Sequence, residues 1–129
     1  MSPDEDARET DLTPLEQARR TAALCQGKLA TDVTILDMRG VCDFTDFFVI
    51  ATGRNARQTK SIFDEVYGQL KQQEKVLPRS VEGQKEAEWI IADYLDVVLH
   101  VFTPETRLYY RLEDLWGDVP AVEVEAATA

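Results

Sequence analysis

The only histidine of the chain, His100, lies in an apolar segment over residues 87–102 that also holds carboxylates. A histidine oriented by one of the two aspartates of this segment could act as the base of a hydrolase. However, neither Ser61 nor Ser80 has the sequence context that exposes a catalytic serine at a strand-to-helix turn. One histidine and two separated cysteines are also too few ligands for a zinc site. The segment therefore predicts neither a hydrolase nor a metal centre.

The same segment predicts a β-hairpin, because two apolar strands flank Tyr94-Leu95. With a two-residue loop the strands share a mixed face, which carries three cross-strand pairs: Asp93 with Asp96, Ile91 with Val98, and Trp89 with His100. The other face is mostly aliphatic and is expected to lie against the core, and Glu88 falls on that side. Tyrosine and leucine are poor residues for a turn that needs positive φ. Either the loop is wider, or Leu95 is strained.

The mixed face has two interpretations. An apolar centre with a tryptophan and a charged rim is the composition of a protein-binding surface. Two aspartates opposite one another repel, and a lysine or arginine of a partner between them would turn that cost into a gain. Equally, a helix of the same chain could cover Trp89 and His100 and leave the aspartates as solvated loop residues. The residues alone favour neither interpretation.

The elements that must position this hairpin are predicted from caps and apolar periodicity. The Thr-Pro-x-Glu sequence at residues 13–16 is typical of a helix start, and Gly27 marks the end of that helix. Asn55 can cap a longer helix that runs to about Glu74 and carries an apolar stripe at every fourth residue. Both helices therefore have one side suited to packing against a sheet.

Strands are predicted at residues 33–38, 46–52 and 79–82, in addition to the two strands of the hairpin. The 46–52 segment is apolar almost throughout, which favours a central position, whereas 79–82 is a short edge strand. A short helix follows Pro104. This order predicts an α/β fold, namely a single domain whose mixed sheet of about five strands has helices packed on it.

Length and charge constrain the organisation of the chain and its partners. The 129 residues suffice for one domain, which we expect over 13–118. The first 13 residues hold five acids and one arginine and the last 12 hold three acids, so disordered tails are expected over 1–12 and 119–129.

The net charge of −10 disfavours non-specific binding to nucleic acid and favours a basic protein partner. The absence of a membrane-length apolar run, a secretory signal or an Arg-rich transit peptide predicts a cytoplasmic protein.

Six motifs, taken in order, resemble the ribosomal silencing factor family, also called the Iojap-related family. They are D-F-F-V-I-A-T-G (46–53), R-Q-T-K-S-I (57–62), V-E-G (81–83), A-E-W-I-I-A-D-Y (87–94), D-V-V-L-H-V-F (96–102) and Y-Y-R-L-E-D-L-W-G-D (109–118). Each motif is weak alone, but six in the family's order are specific. The chain departs from the family at Leu95, where glycine is usual, and at Arg54-Asn55-Ala56, where small hydroxyl residues are more typical.

The resemblance implies a translational repressor that acts under nutrient limitation, without enzymatic activity or a cofactor. It implies binding to the large ribosomal subunit at ribosomal protein uL14, which sterically blocks joining with the small subunit, and a homodimer when free. The family's docking surface maps onto six residues of the hairpin: Trp89, Ile91, Asp93, Tyr94, Asp96 and His100. The resemblance and the composition of the mixed face thus indicate one surface.

Two other functions are considered alongside this one. A role in ribosome assembly is one, and a nucleotidyltransferase-like enzyme is the other, since the family's fold resembles that class. Such enzymes need a Gly-Ser turn for phosphate and paired carboxylates for Mg²⁺. Here the turn is Thr52-Gly53-Arg54, and of the acid pair Glu86 and Glu88 one member is predicted to face the core. These departures disfavour the enzyme.

Two further residue groups could contact partners. A cluster near the C-terminus either caps the core or forms a dimer seam: Tyr109, Tyr110, Leu112, Leu115 and Trp116. A basic set on the long helix, Arg54, Arg57 and Lys60, could contact ribosomal RNA phosphate or an acidic tail, or could be a solvated basic face.

Overall fold

The computed structural model describes residues 11–115 and 119–124, which contain both helices and strands. From the N-terminus the elements are α1 (Pro14–Gly27), β1 (Thr31–Asp37), β2 (Phe47–Thr52), α2 (Ala56–Gln69) continued by a π-helical turn (Leu70–Glu74), β3 (Ser80–Glu82), β4 (Trp89–Asp93), β5 (Val97–Phe102), α3 (Pro104–Tyr110), α4 (Leu112–Leu115) and β6 (Ala121–Val122). Trp116 and residues 1–10, 117–118 and 125–129 lie outside the described part.

The strands form one mixed sheet in the order β3-β4-β5-β2-β1-β6. The β2–β5 pair is parallel, and the other neighbouring pairs are antiparallel. The α/β fold with a mixed sheet is therefore confirmed, but the predicted count of five strands is one too few. The extra strand, β6, pairs with β1 and lies inside the segment 119–129 that the sequence predicts to be a disordered tail. A two-residue strand is too short to show any periodicity.

Both long helices begin where their caps predict. The Thr13 hydroxyl accepts a hydrogen bond from the Glu16 amide (3.1 Å), and the Glu16 carboxylate accepts one from the Thr13 amide (2.9 Å). The Asn55 side chain accepts a hydrogen bond from the Gln58 amide (2.9 Å). These bonds satisfy amides that have no partner within the helix, and so they fix the starts of α1 and α2.

The predicted central strand is confirmed, because every residue of β2 is buried. It lies between β1 and β5, so side chains on both sides of the sheet contact other elements. The predicted edge strand is also confirmed, since β3 pairs with β4 alone.

The two sides of the sheet differ in what covers them. On one side, the helical face, the sheet packs against α1 and α2 around an aliphatic core. We call the other side the aromatic face, because its strands carry Phe48, Trp89, His100 and Phe102. Short segments cover this side, and the side chains that pack there from outside the strands include Met38, Cys42, Leu112 and Val119. The hairpin of β4 and β5 therefore contributes to both sides.

Candidate protein-docking surface

The hairpin has the predicted faces but a different register. Trp89 lies opposite Phe102, Ile91 opposite His100, and Asp93 opposite Val98. Each of these β4 residues is thus paired two positions further along β5 than the predicted two-residue turn would give. Because side chains alternate with a period of two, this shift keeps the same residues on the same faces.

A wider loop causes the shift. The last cross-strand pair is Asp93 with Val98, so four residues, 94–97, connect the paired positions; within this connection the Tyr94 amide donates to the Val97 carbonyl (2.8 Å). Leu95 nevertheless adopts a left-handed conformation with φ of +77°. Both expectations about this turn, a wider loop and a strained Leu95, therefore hold together.

The two carboxylates at the tip do not oppose each other, so the predicted repulsion between them is wrong. One oxygen of Asp93 accepts a hydrogen bond from the Leu95 amide (2.8 Å), and the other lies 3.1 Å from Nε of Arg79. Asp96 lies in the loop, where its carbonyl accepts from the Asp46 and Phe47 amides (both 3.1 Å). Both aspartates are half-buried. The side chain of Asp93 thus helps to hold the turn in its left-handed conformation.

The side chain of Tyr94 does not belong to this surface. It is buried among the residues of the helical face, and only 6% of it is exposed. Its hydroxyl has no hydrogen-bond partner in the described part of the chain, and burial raises its pKa well above the usual range. The alternation of side chains along β4 explains the difference from prediction, because Tyr94 falls on the same side of the hairpin as Ile90 and Ala92, which also pack in the helical face.

Trp89 lies at the centre of an array of rings on the aromatic face. Its ring stacks on Phe102 at 4.9 Å between centroids, and the ring of Tyr110 from α3 lies at the same distance. Its Nε1 donates a hydrogen bond to Nδ1 of His100 (3.2 Å). Since an indole nitrogen can only donate, Nδ1 of His100 must be unprotonated, and the imidazole is neutral with its proton on Nε2. Trp89 is half-buried and held on three sides.

His100 supports Trp89 and is not itself accessible. Only 5% of it is exposed, and its Nε2 has no hydrogen-bond partner among the described residues. Burial lowers its pKa to about 4. The ring of Phe48 contacts it edge-on at 4.7 Å. Of the two interpretations that the sequence leaves open, the covering helix fits neither residue fully: aromatic rings cover His100, and Trp89, which contacts Tyr110 of α3, remains partly open.

Gly83 fixes the approach to β4. Its φ is +83°, and a Cβ at this position would collide with the carbonyl oxygen of Trp89. Its own carbonyl accepts a hydrogen bond from the Ala87 amide (2.9 Å). Only glycine fits here, which gives the V-E-G motif a structural role in placing Trp89.

Exposed apolar side chains extend the surface beyond the hairpin. The sequence predicts that the cluster after residue 108 caps the core or forms a seam, yet only Leu112 of its described members is buried. Tyr109 is 80% exposed and contacts the ring of Tyr110, which is 52% exposed and contacts Trp89. Phe44, which the sequence analysis does not identify, is also exposed and lies against Phe48. An exposed group of apolar side chains this large is typical of an interaction site.

Arg107 holds the helix that carries these tyrosines. Its side chain is only 12% exposed, and its guanidinium donates to the Glu113 carboxylate (2.6 Å), the Asp32 carbonyl (2.7 Å) and the Thr52 hydroxyl (2.7 Å). These bonds join α3, α4 and the ends of β1 and β2. The exposed rings therefore project from a fixed backbone.

The structure places the acid pair that the sequence analysis considers, and the described residues contain no group of potential metal ligands. Glu86 and Glu88 are both exposed and precede β4, so the prediction that Glu88 faces the core is wrong. No group of potential ligands within 11–115 and 119–124 could hold a metal ion. Cys25 is fully buried, which raises the pKa of its thiol to about 12. In that same part of the chain, no helix is long and apolar enough to cross a membrane.

Comparisons with known proteins agree on one family. Residues 11–129 match the family model described as ribosomal silencing factor during starvation. The ribosomal silencing factor RsfS of Bacillus subtilis is 38% identical over 104 residues, which cover 81% of this chain and 87% of that protein. The RsfS of Halalkalibacterium halodurans is 40% identical over 98 residues, or 76% of this chain and 83% of that protein. A crystal structure of a Chromobacterium violaceum protein superimposes with a TM-score of 0.79 at 30% identity and covers 91% of this chain and 98% of that one.

Proposed function

The chain belongs to the ribosomal silencing factor family, and on that premise we propose that it represses translation by binding ribosomal protein uL14 on the large subunit. Occupation of that site keeps the small subunit from joining, which lowers translation when nutrients are limited. The protein acts in the cytoplasm by steric exclusion, without catalysis or a cofactor. When it is not bound to a ribosome it forms a homodimer.

One observation carries this proposal: the aromatic face presents apolar side chains that no long helix within residues 11–115 covers. Tyr109 and Tyr110 are exposed beside the half-buried Trp89. Rigid rings of this kind provide large contact areas at a low cost in side-chain entropy, and they are common binding hot spots. The face is therefore suited to a protein partner.

The charges around this face favour a basic partner. Asp43 is exposed beside Phe44, and Asp93 and Asp96 are half-buried at the hairpin tip. A lysine or arginine from uL14 can share Asp93 with Arg79, whose side chain is 55% exposed. Charge complementarity of this type raises the rate of association and suppresses wrong partners.

The six residues predicted from the resemblance take different roles in this proposal. Trp89, Ile91, Asp93 and Asp96 contact the partner. His100 keeps Trp89 in place through the hydrogen bond to its indole. Tyr94 stabilises the hairpin from within the helical face.

Cosedimentation with separated ribosomal subunits, followed by a subunit-joining assay, tests the proposal. The wild-type protein should pellet with large subunits only and reduce the formation of joined ribosomes. Tyr110→Ala should weaken both effects at least tenfold, as truncation of an interface tyrosine does. Leu77→Ala is a matched control, because Leu77 is exposed to a similar degree (55%, against 52% for Tyr110). Joining that proceeds normally with a saturating wild-type protein would refute the proposal.

A further inference from the structure

Four cations surround a pair of adjoining grooves at the start of α2. The larger groove, about 590 Å³, is lined by residues that include Lys28, Arg54 and Arg57. The smaller one, about 370 Å³, shares Lys28 and Arg57 and adds Lys60. Both grooves also contain the hydroxyl of Ser61. We call these four cations and the two grooves between them the cationic groove.

The charge of the cationic groove is not neutralised by ion pairs. Within the described residues, none of its four cations forms a salt bridge, whereas Arg39, Arg79, Arg107 and Arg111 each pair with a carboxylate. Asp64 and Glu65 line the smaller groove, and the larger groove has no acidic lining residue in that same part of the chain. In a protein of net charge −10, this local excess of positive charge is a distinct feature.

The backbone around the cationic groove is fixed by Gln58. Its backbone N–H donates to the side-chain oxygen of Asn55 and is therefore not available to a ligand, and its own side-chain oxygen accepts from the Arg54 amide (2.7 Å). Its side-chain nitrogen donates to the carbonyls of Lys28 and Leu29 (3.1 and 3.3 Å). The end of α1 is thereby tied to the start of α2. The four cationic side chains, whose backbone Gln58 holds in place, therefore provide the attraction for an anion. The Gln58 amide does not contribute, because it is bonded to the Asn55 side chain.

We propose that the cationic groove binds the phosphate backbone of ribosomal RNA beside the protein to which the aromatic face docks. This inference rests on the proposed function, which places the protein on a ribonucleoprotein particle. Since α2 packs on the helical face, the groove and the aromatic face lie on different sides of the sheet. A partner protein seated on the aromatic face leaves the groove open. Several cations spread over two elements suit a chain of phosphates better than a single anion.

The test compares Arg57→Gln/Lys60→Gln with the control Lys71→Gln/Lys85→Gln, which removes the same charge outside the groove. Affinity for isolated large subunits is measured over a range of KCl concentrations. Each lost phosphate contact lowers the slope of log affinity against log salt by about 0.7 to 0.9. The groove variant should therefore show a slope smaller by about 1.5 and an affinity about tenfold lower at low salt. The control should match the wild type.

Two further probes separate this inference from the proposed function. Binding of purified uL14 should be equal for wild type and groove variant, and binding of a short A-form RNA duplex at low salt should be weaker for the variant. A wild-type slope in the groove variant overturns the inference, and so does a loss confined to uL14, which would identify an acidic protein segment as the ligand. If the wild type binds the RNA duplex but neither uL14 nor the subunit, the proposed function and the ribosomal site both fail, and the groove is left as a general site for RNA phosphate.

Discussion

The helical face and the aromatic face of the same sheet are built differently. On the helical face, two 14-residue helices cover a mostly aliphatic core. On the aromatic face, helices of seven and four residues leave Tyr109, Tyr110 and Leu115 exposed. The first arrangement removes as much apolar surface from water as the sheet allows, whereas the second keeps part of it accessible. We infer that the helical face stabilises the fold and that the aromatic face is available for a partner.

Side-chain truncations on the two faces should therefore have very different costs. Ile62→Ala on the helical face removes a side chain with 0% exposure and should lower the free energy of unfolding by about 3 kcal/mol, because it leaves a cavity. Leu115→Ala on the other side removes a side chain that is 73% exposed and should change it by less than about 0.5 kcal/mol. Urea unfolding of both variants measures the difference. Similar losses for the two would show that Leu115 is packed and that the faces do not differ.

His100, which is buried on the aromatic face, should be as well shielded from water as a core residue. The folded state keeps His100 neutral down to about pH 4, whereas the unfolded chain binds a proton near its usual pKa of 6.5. Between these values the unfolded state holds more protons, so stability falls as the pH is lowered. Going from pH 7 to pH 5 should cost the wild type about 2 kcal/mol more than His100→Gln, which does not titrate. Equal losses in both proteins would indicate a hydrated histidine.

A glycine at the strained hairpin tip should change the free energy of unfolding by less than the changes predicted above for Ile62 and His100. Leu95→Gly removes the steric cost of the left-handed conformation at φ of +77° and should raise the free energy of unfolding by about 0.5 to 1 kcal/mol. Leu95→Ala is the control, since it keeps a Cβ and removes the same exposed side chain. Thermal unfolding of the two variants side by side isolates the backbone effect. A glycine variant no more stable than the alanine variant would show that the turn is unstrained.

The helical face could be predicted from the sequence largely because its signals are local. A capping box, an asparagine cap and an apolar strand each depend on a few adjacent residues, and all three lie where the sequence predicts. The hairpin register depends on the loop, whereas side-chain alternation alone places Tyr94 on the core side with Ile90 and Ala92. The exposure of Tyr110 and Phe44 depends on packing between distant segments, for which neither residue has a periodic pattern. The candidate surface was thus predictable at Trp89 and, as a cluster that either caps the core or forms a seam, at Tyr109 and Tyr110, but not at Phe44.

The most direct test of the docking role is the affinity of purified uL14 for two exposed-residue variants, measured by isothermal titration calorimetry. Tyr109 on the aromatic face is 80% exposed, and Leu29, which follows α1, is 72% exposed, so neither truncation disturbs the core. We expect Tyr109→Ala to bind uL14 at least tenfold more weakly than the wild type and Leu29→Ala to bind as the wild type does. Wild-type affinity in Tyr109→Ala, or an equal loss in Leu29→Ala, would contradict the claim that the aromatic face is where the partner docks.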